Sequence, residues 1–316
     1  MPRVPQSCWQ GVEMTTTQPN PVSRSLVWIA WAVMLLVSLL PTVLLQEVIG
    51  RPAGWLIWAK FGVMAALAVA SFLWAPLRPL RAYALILLVV FGAEELSTRL
   101  EHTSLWRGWF GGVAASFTRE MLGIQVRRVA VALVVIGALY ALGYRREDFF
   151  LVRGQLDAPI EPVRWLGFPK PDPWTHFGGQ FAVYISLGTL VFLVIGGRPS
   201  PAALLGALPV LPAVLLFAAM NAFAEEMTYR ASLLATLEDP IGPRHALWLT
   251  AAFFGIGHFY GVPYGPIGVV LATFLGWMMG KAMLETRGFF WAWFIHFLQD
   301  VLIFAFMAVG SVTPGG

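Results

Sequence analysis

Apolar runs of about 20 residues recur along this chain, each long enough to cross the hydrocarbon core of a bilayer as a helix. No other feature constrains the fold as strongly. In lipid every backbone N–H and C=O must be satisfied within the protein, so a succession of such runs folds as a helical bundle. We read runs at 26–45, 55–74, 81–93, 127–144, 178–196, 203–224, 245–260, 266–284 and 288–308. The third is short and the sixth is interrupted by Pro209 and Pro212, which gives eight or nine spans. The expected fold class is therefore all-α, a polytopic transmembrane helical bundle. Composition agrees: 58% of the 316 residues are hydrophobic and 12% charged, against roughly 25% charged in soluble domains. The 14 Trp and 23 Phe suit a bilayer, where aromatic rings anchor at the interfaces.

The chain divides into a polar, disordered tail over 1–25, a set of N-terminal transmembrane helices with an interfacial loop over 26–160, and a C-terminal part over 161–310. The first apolar run starts near Leu26 and is too long for a signal-peptide core, so no cleavable signal is expected. Residues 94–126 interleave Trp106, Trp109 and Phe110 with Arg99 and Arg107, the pattern of an interfacial amphipathic helix. The Pro-rich stretch from Pro159 to Pro173 excludes a regular helix. There is no internal repeat.

With one cysteine, Cys8, neither an intrachain disulfide nor a thiolate metal cluster can form. The net charge of +4 reflects Arg and Lys in short loops, and membrane lipid rather than nucleic acid is the expected partner. One side of the membrane collects Arg3, Arg24, Arg78, Arg81, the basic loop Arg145, Arg146, Arg153, Arg164 and Lys170, then Arg244, Lys281 and Arg287. The other has Arg51, Arg99, Arg107, Arg119 and Arg198. The excess, about two to one, places the N-terminus in the cytoplasm.

Ionisable residues inside a membrane are expensive and are functional candidates by default. The C-terminal third concentrates them in three segments: Asn221-Ala-Phe-Ala-Glu225-Glu226-Met-Thr-Tyr-Arg230, Phe253-Phe254-Gly-Ile-Gly-His258, and Trp293-Phe-Ile-His296-Phe-Leu-Gln299-Asp300. Helix geometry predicts that they meet. The turn Asp239-Pro-Ile-Gly-Pro-Arg244 joins two helices; Glu225 lies 14 residues before it and His258 14 after it, so both stand roughly 21 Å from the turn. After two further reversals His296 lies roughly 12 Å and Asp300 roughly 18 Å into the last helix. His296 and Asp300, four apart, share one helix face.

The order Glu225-Glu226-x-x-x-Arg230, then Phe254-x-x-x-His258, then His296-x-x-x-Asp300 resembles the CPBP family over about residues 165–305. That family comprises CAAX prenyl endopeptidases of the Ras-converting type and bacterial relatives linked to bacteriocin processing. The resemblance implies an intramembrane endopeptidase domain over 161–310. In it Glu225 activates water, His258 assists, and His296 and Asp300 hold the oxyanion side. The Glu226–Arg230 pair would be a supporting salt bridge. Relatives often have Arg-Gly where this chain has Arg230-Ala231, and prenyl proteases commonly carry Asn where Asp300 stands. A carboxylate there donates a hydrogen bond only when protonated; alternatively Asp300 orients His296.

Peptide hydrolysis needs a base for water and donors for the oxyanion. A metal-free glutamate mechanism ranks first. A zinc version with Glu225, His258 and His296 as ligands is the alternative, although no His-Glu-x-x-His motif is present. The expected substrate is a membrane-associated protein or peptide, prenylated or not, met in a bacterial cytoplasmic membrane and reached from the cytoplasmic side or laterally from lipid.

Blander readings compete for several of these residues. A double Glu followed by Arg also occurs at Glu94-Glu95-Leu-Ser-Thr-Arg99, where no Phe-x-x-x-His follows, and it reads as a solvated interfacial pair. His102, His176 and His245 read as interfacial. Tyr229, Phe254 and Phe259 read as packing or cavity wall, and Asn221 as either a cavity residue or an interhelical hydrogen bond. Two rival functions remain: a non-catalytic immunity or scaffold protein on the same fold, and, last, a proton-coupled transporter. The transporter would favour broken helices repeated in both halves, and the N-terminal half has no counterpart to the His motifs.

Overall fold

The computed structural model describes residues 23–51, 54–111 and 116–312. The polar tail expected over 1–25 lies outside the described residues except for its last three. Thirteen α-helices follow, among the described residues: α1 (Arg24–Val37), α2 (Leu40–Leu44), α3 (Leu56–Leu73), α4 (Arg81–Glu101), α5 (Ser104–Phe110), α6 (Phe117–Ala141), α7 (Trp174–Gly197), α8 (Pro201–Ala207), α9 (Leu211–Glu225), α10 (Ser232–Ile241), α11 (Pro243–Gly257), α12 (Pro266–Thr286) and α13 (Phe290–Val312). A π-helical turn, Glu226–Ala231, joins α9 to α10. Among the described residues the only β-pairing is two isolated bridges, Pro159 with Pro173 and Val163 with Phe168. These hold the Pro-rich stretch, which contains one short 3-10 turn, Arg164–Leu166, and no α-helix before Trp174. The fold is an all-α polytopic bundle.

Seven helical elements are long and apolar enough to cross a membrane, or eight if α1 and the segment Leu40–Ile49, bent by 50° from it, make one span. The expected count was eight or nine. The shortfall is at 245–260: α11 has 15 residues, about 22 Å of helix against a hydrocarbon core of about 30 Å. Conversely, the run expected at 203–224 is part of one 41-residue apolar element, Pro201–Ile241.

Two helix boundaries move in a way that matters for function. α4 does not end at 93 but continues to Glu101. α6 does not begin at 127 but at Phe117, where the Ser116 hydroxyl accepts from Arg119 N and caps the first turn. Glu94, Arg127 and Arg128 are therefore mid-helix residues. The interfacial helix expected in 94–126 reduces to α5, capped by Thr103; residues 112–115 lie outside the described set.

One continuous core runs from Leu26 in α1 to Ile295 in α13, so the two halves of the chain share it. A smaller cluster, including Met121, Phe217 and Phe304, packs α6, α9 and α13 together. Outward, Val183, Leu187, Val191 and Ile195 form an exposed apolar stripe along α7, the face a lipid-contacting helix presents.

The loop before α7 is clamped onto the α12–α13 reversal, which sets where α13 begins. Gln155 N donates to Thr286 O at 2.8 Å and Phe289 N to Val152 O at 2.8 Å. Trp174 Nε1 donates to Glu285 Oε2 at 2.8 Å and Lys281 Nζ to Glu161 O at 3.1 Å. The approach is close enough to require glycine. Gly154 has φ +74°, and a Cβ there would lie 2.6 Å from Gly288 Cα and 2.6 Å from Thr286 O. We expect Gly154→Ala to destabilise the protein by about 1–3 kcal/mol, measured as thermal unfolding in detergent. Gly137→Ala, in open space within α6, should be neutral or slightly stabilising. Equal stability of the two variants would refute the clamp.

Candidate active site

Glu225 is the last residue of α9, and Glu226 opens the π-helical turn that follows. Such turns widen a helix by one residue and are frequent at functional sites. Here the two adjacent carboxylates serve different surroundings. Glu226 points into the bundle, where it is 0% exposed. It forms an ion pair with Arg230, one turn on, and Oε1 bonds to His296 Nδ1 at 2.7 Å. The Arg230 guanidinium is equally buried. None of its nitrogens makes an aligned hydrogen bond, and its plane lies 4.5 Å above the Phe254 ring. Sequence reasoning anticipated the Glu226–Arg230 pair; that it also holds His296 was not foreseen.

Glu225 faces the other way and retains 16% side-chain exposure. Its Oε1 accepts from Arg128 Nη1 at 2.5 Å. The same Arg128 nitrogen donates to Asn221 Oδ1, and Asn221 Nδ2 donates to Asp300 Oδ2 at 3.0 Å. Asn221 is thus an interhelical link, one of its two foreseen readings. His296 Nε2 stands 3.8 Å from Glu225 Oε2 and 3.6 Å from Asp300 Oδ2. Because an ionised carboxylate only accepts, His296 donates from Nδ1 to Glu226, and Nε2 is the nitrogen left facing Glu225 and Asp300.

His258 follows α11 directly. Its Nδ1 lies 2.8 Å from Phe254 O, a carbonyl that can only accept, so Nδ1 carries the proton and Nε2 is the acceptor. Its ring packs on Phe254 at 4.3 Å, and Phe254 in turn meets the His296 ring edge-on at 5.9 Å. Glu225 and His258 line one cavity of about 400 Å³. The predicted set Glu225, His258, His296 and Asp300 therefore converges, with Glu225 and His258 on the cavity wall and His296 and Asp300 behind it.

Much of that wall comes from the N-terminal half. Ser38, Lys60, Phe91, Glu94 and Arg128 all line the cavity. Arg128, the direct partner of Glu225, went unassigned in the sequence because α6 was expected to start at 127, leaving the double Arg at a helix entrance. Glu94 corrects another expectation. Glu95 and Arg99 do form an exposed i,i+4 pair at 2.8 Å, but Glu94 turns inward. Its Oε1 accepts from Tyr229 OH at 2.6 Å and its Oε2 from Arg127 at 3.2 Å. Tyr229 is thus a polar contact of the cavity as well as wall.

A larger, polar cavity of about 620 Å³ lies by Arg78, Tyr144, Glu238, Asp239 and Arg287, at the other end of α11, and no predicted catalytic residue lines it. His102, His176 and His245 are exposed. Among the described residues no three His, Cys, Asp or Glu side chains are arranged to hold a metal ion.

Residues 207–302 match the family model of the Rce1-like proteins, described as type II CAAX prenyl endopeptidase Rce1-like. The match is narrower than the resemblance read at 165–305, yet it contains Asn221, Glu225, Glu226, Arg230, His258, His296 and Asp300. Arg128, Glu94 and Lys60 lie outside it. No curated protein and no solved structure matches the chain.

Removing one member of the buried pair should cost more than removing both. We expect Arg230→Met, which strands the Glu226 carboxylate, to destabilise by about 3–5 kcal/mol, and the double variant Glu226→Gln/Arg230→Met to be markedly less damaging than the sum of the single changes. Additive losses in thermal unfolding would show that the two charges do not act as a pair.

Proposed function

On the premise that the chain belongs, through residues 207–302, to the Rce1-like type II CAAX prenyl endopeptidases of the CPBP family, we propose that it hydrolyses a peptide bond of a membrane-associated protein or peptide using water activated by Glu225. The observation that carries this reading is the convergence of Glu225 and His258 on one cavity with His296 and Asp300 directly behind. A water in the cavity gives its proton to Glu225 and its oxygen attacks the carbonyl carbon. His258 Nε2 assists as an acceptor. The tetrahedral oxyanion is held by His296 Nε2 when that nitrogen is protonated. The proton then passes to the leaving amine as the C–N bond breaks. Asp300, held by Asn221, orients His296. Glu226 and Arg230 support it from the far side of the ring.

Prenylated substrates suit the prenyl endopeptidase family that residues 207–302 match; other membrane-anchored peptides suit a bacterial setting. We place the protein in a bacterial cytoplasmic membrane with its N-terminus and the basic loop 145–170 in the cytoplasm. The cavity, at the His258 end of α11, is reached in this reading from the cytoplasmic side or laterally from lipid.

One observation favours the non-catalytic scaffold reading instead: Arg128 occupies an oxygen of Glu225, as a purely structural ion pair would. The deciding experiment compares wild type with Glu225→Ala in cleavage of a membrane-peptide library, prenylated and unprenylated, each with and without a strong zinc chelator. The expected outcome is a loss of about 10²–10⁴-fold in the variant and no effect of chelator on the wild type. Chelator-sensitive cleavage would replace the metal-free mechanism with the zinc one. Equal cleavage by wild type and variant would remove Glu225 from the chemistry.

A further inference from the structure

The larger, polar cavity of about 620 Å³ takes no part in the hydrolytic reading. It lies where helices begin and end. α3 stops at Leu73, α6 at Ala141 and α10 at Ile241; α4 starts at Arg81, and Arg287 caps α12. In a bundle of spanning helices that level is the boundary between hydrocarbon and water, where lipid headgroups sit. The chain beside it meets lipid: Phe72, Leu73 and Trp74, at the end of α3, are all exposed.

Three arginines and three carboxylates line this cavity: Arg78, Arg81 and Arg287, with Asp148, Glu238 and Asp239. One pair is closed, because Arg287 Nη1 donates to both Glu238 oxygens at 2.8 and 2.9 Å. Two cations and two anions are left, and among the described residues none of these four has an opposite charge in contact. The cations come from the turn between α3 and α4. The Arg81 guanidinium lies 4.1 Å over the Phe72 ring and donates from Nη2 to Ser71 O at 3.3 Å, while its Nε is buried without a partner. Arg78, three residues earlier, is exposed. The anions come from other elements: Asp148 from the turn after α6 and Asp239 from the end of α10, with Tyr144 in electrostatic reach of both. Arginine is the side chain best suited to phosphate, and carboxylates accept from a primary ammonium. A cavity that offers both, at headgroup level, is complementary to a zwitterion.

We propose that this cavity binds the headgroup of an aminophospholipid, with the phosphate on Arg78 and Arg81 and the primary ammonium on Asp148 and Asp239. The acyl chains run out past Phe72, Leu73 and Trp74. The bound lipid joins the α3–α4 turn to the ends of α6 and α10, and its binding is independent of the reaction at Glu225.

The test reads binding directly. Full-length, delipidated protein in maltoside micelles is titrated with phosphatidylethanolamine, phosphatidylcholine and phosphatidylglycerol carrying identical chains, and occupancy is read by native mass spectrometry. Phosphatidylethanolamine should bind about tenfold or more tightly than phosphatidylcholine, whose quaternary ammonium has no N–H to donate, and than phosphatidylglycerol, which offers no cation. Asp148→Asn/Asp239→Asn should bring phosphatidylethanolamine to the level of phosphatidylcholine; asparagine keeps the oxygen that accepts from Arg145 N at 2.7 Å. Arg78→Gln/Arg81→Gln should weaken all three lipids about tenfold. The comparison of lipids on the unmodified protein decides the matter whether or not either variant folds. Phosphatidylcholine binding as tightly as phosphatidylethanolamine, phosphatidylglycerol binding more tightly, a preference that survives Asp148→Asn/Asp239→Asn, or affinities unchanged by Arg78→Gln/Arg81→Gln would each overturn the proposal. Displacement of the lipid by an equal concentration of soluble glycerophosphoethanolamine would assign the cavity to a water-soluble ligand and overturn it too.

Discussion

A charge inside a membrane has to be answered by another charge, and the interior of this bundle is organised around that requirement. Apolar helices have little reason to prefer one another over lipid tails, so polar side chains and close packing decide how they associate. Here α6, α9 and α13 are joined through Arg128, Asn221, Glu225 and Asp300. The α9–α13 contact is reinforced where Trp293 Nε1 donates to Ala219 O at 3.1 Å, and α13 is tied to α7 through Gln299, Ser186 and Thr189. A register error in any of these helices would leave an unpaired ion in a low-dielectric interior. The groups proposed to perform the chemistry are thus among those that specify the packing.

The π-helical turn explains how two neighbouring carboxylates take opposite roles. Successive residues of an α-helix already point about 100° apart, and the widened turn at Glu226–Ala231 lets Glu226 face Arg230 and His296 while Glu225 looks into the cavity. Glu226 is buried completely and Glu225 only partly, which suits one to support and the other to meet water.

The C-terminal constellation was legible from sequence because its signals are strong: rare ionisable residues in long apolar runs, at spacings that place them at similar depth. Helix counting from the 239–244 turn brought Glu225 and His258 to the same cavity even though α11 is too short to span. The N-terminal contribution was harder to read for an equally physical reason. Charged residues near the end of an apolar run look like the end of the run, so Glu94 was placed just beyond one helix and Arg128 at the start of another. Both lie inside helices that continue past them. The capping residue Ser116, eleven residues before the double Arg, was the available clue that α6 starts early. Lys60 carried no motif; only its place on the inward stripe of α3 distinguishes it from an orientation charge.

The pairing of Arg128 with Glu225 spans 97 positions of sequence, and this has a consequence for how the protein is made. A chain emerges N-terminus first, so α6 enters the bilayer while α9 has yet to be synthesised. Arg127 meets Glu94 from α4, already in place. Arg128 has no such earlier partner among the carboxylates it contacts, and an isolated arginine at depth is held there only at a substantial free-energy cost. Insertion of α6 is therefore provisional until α9 arrives, and the contact that settles the helix in the membrane is also one that assembles the candidate site.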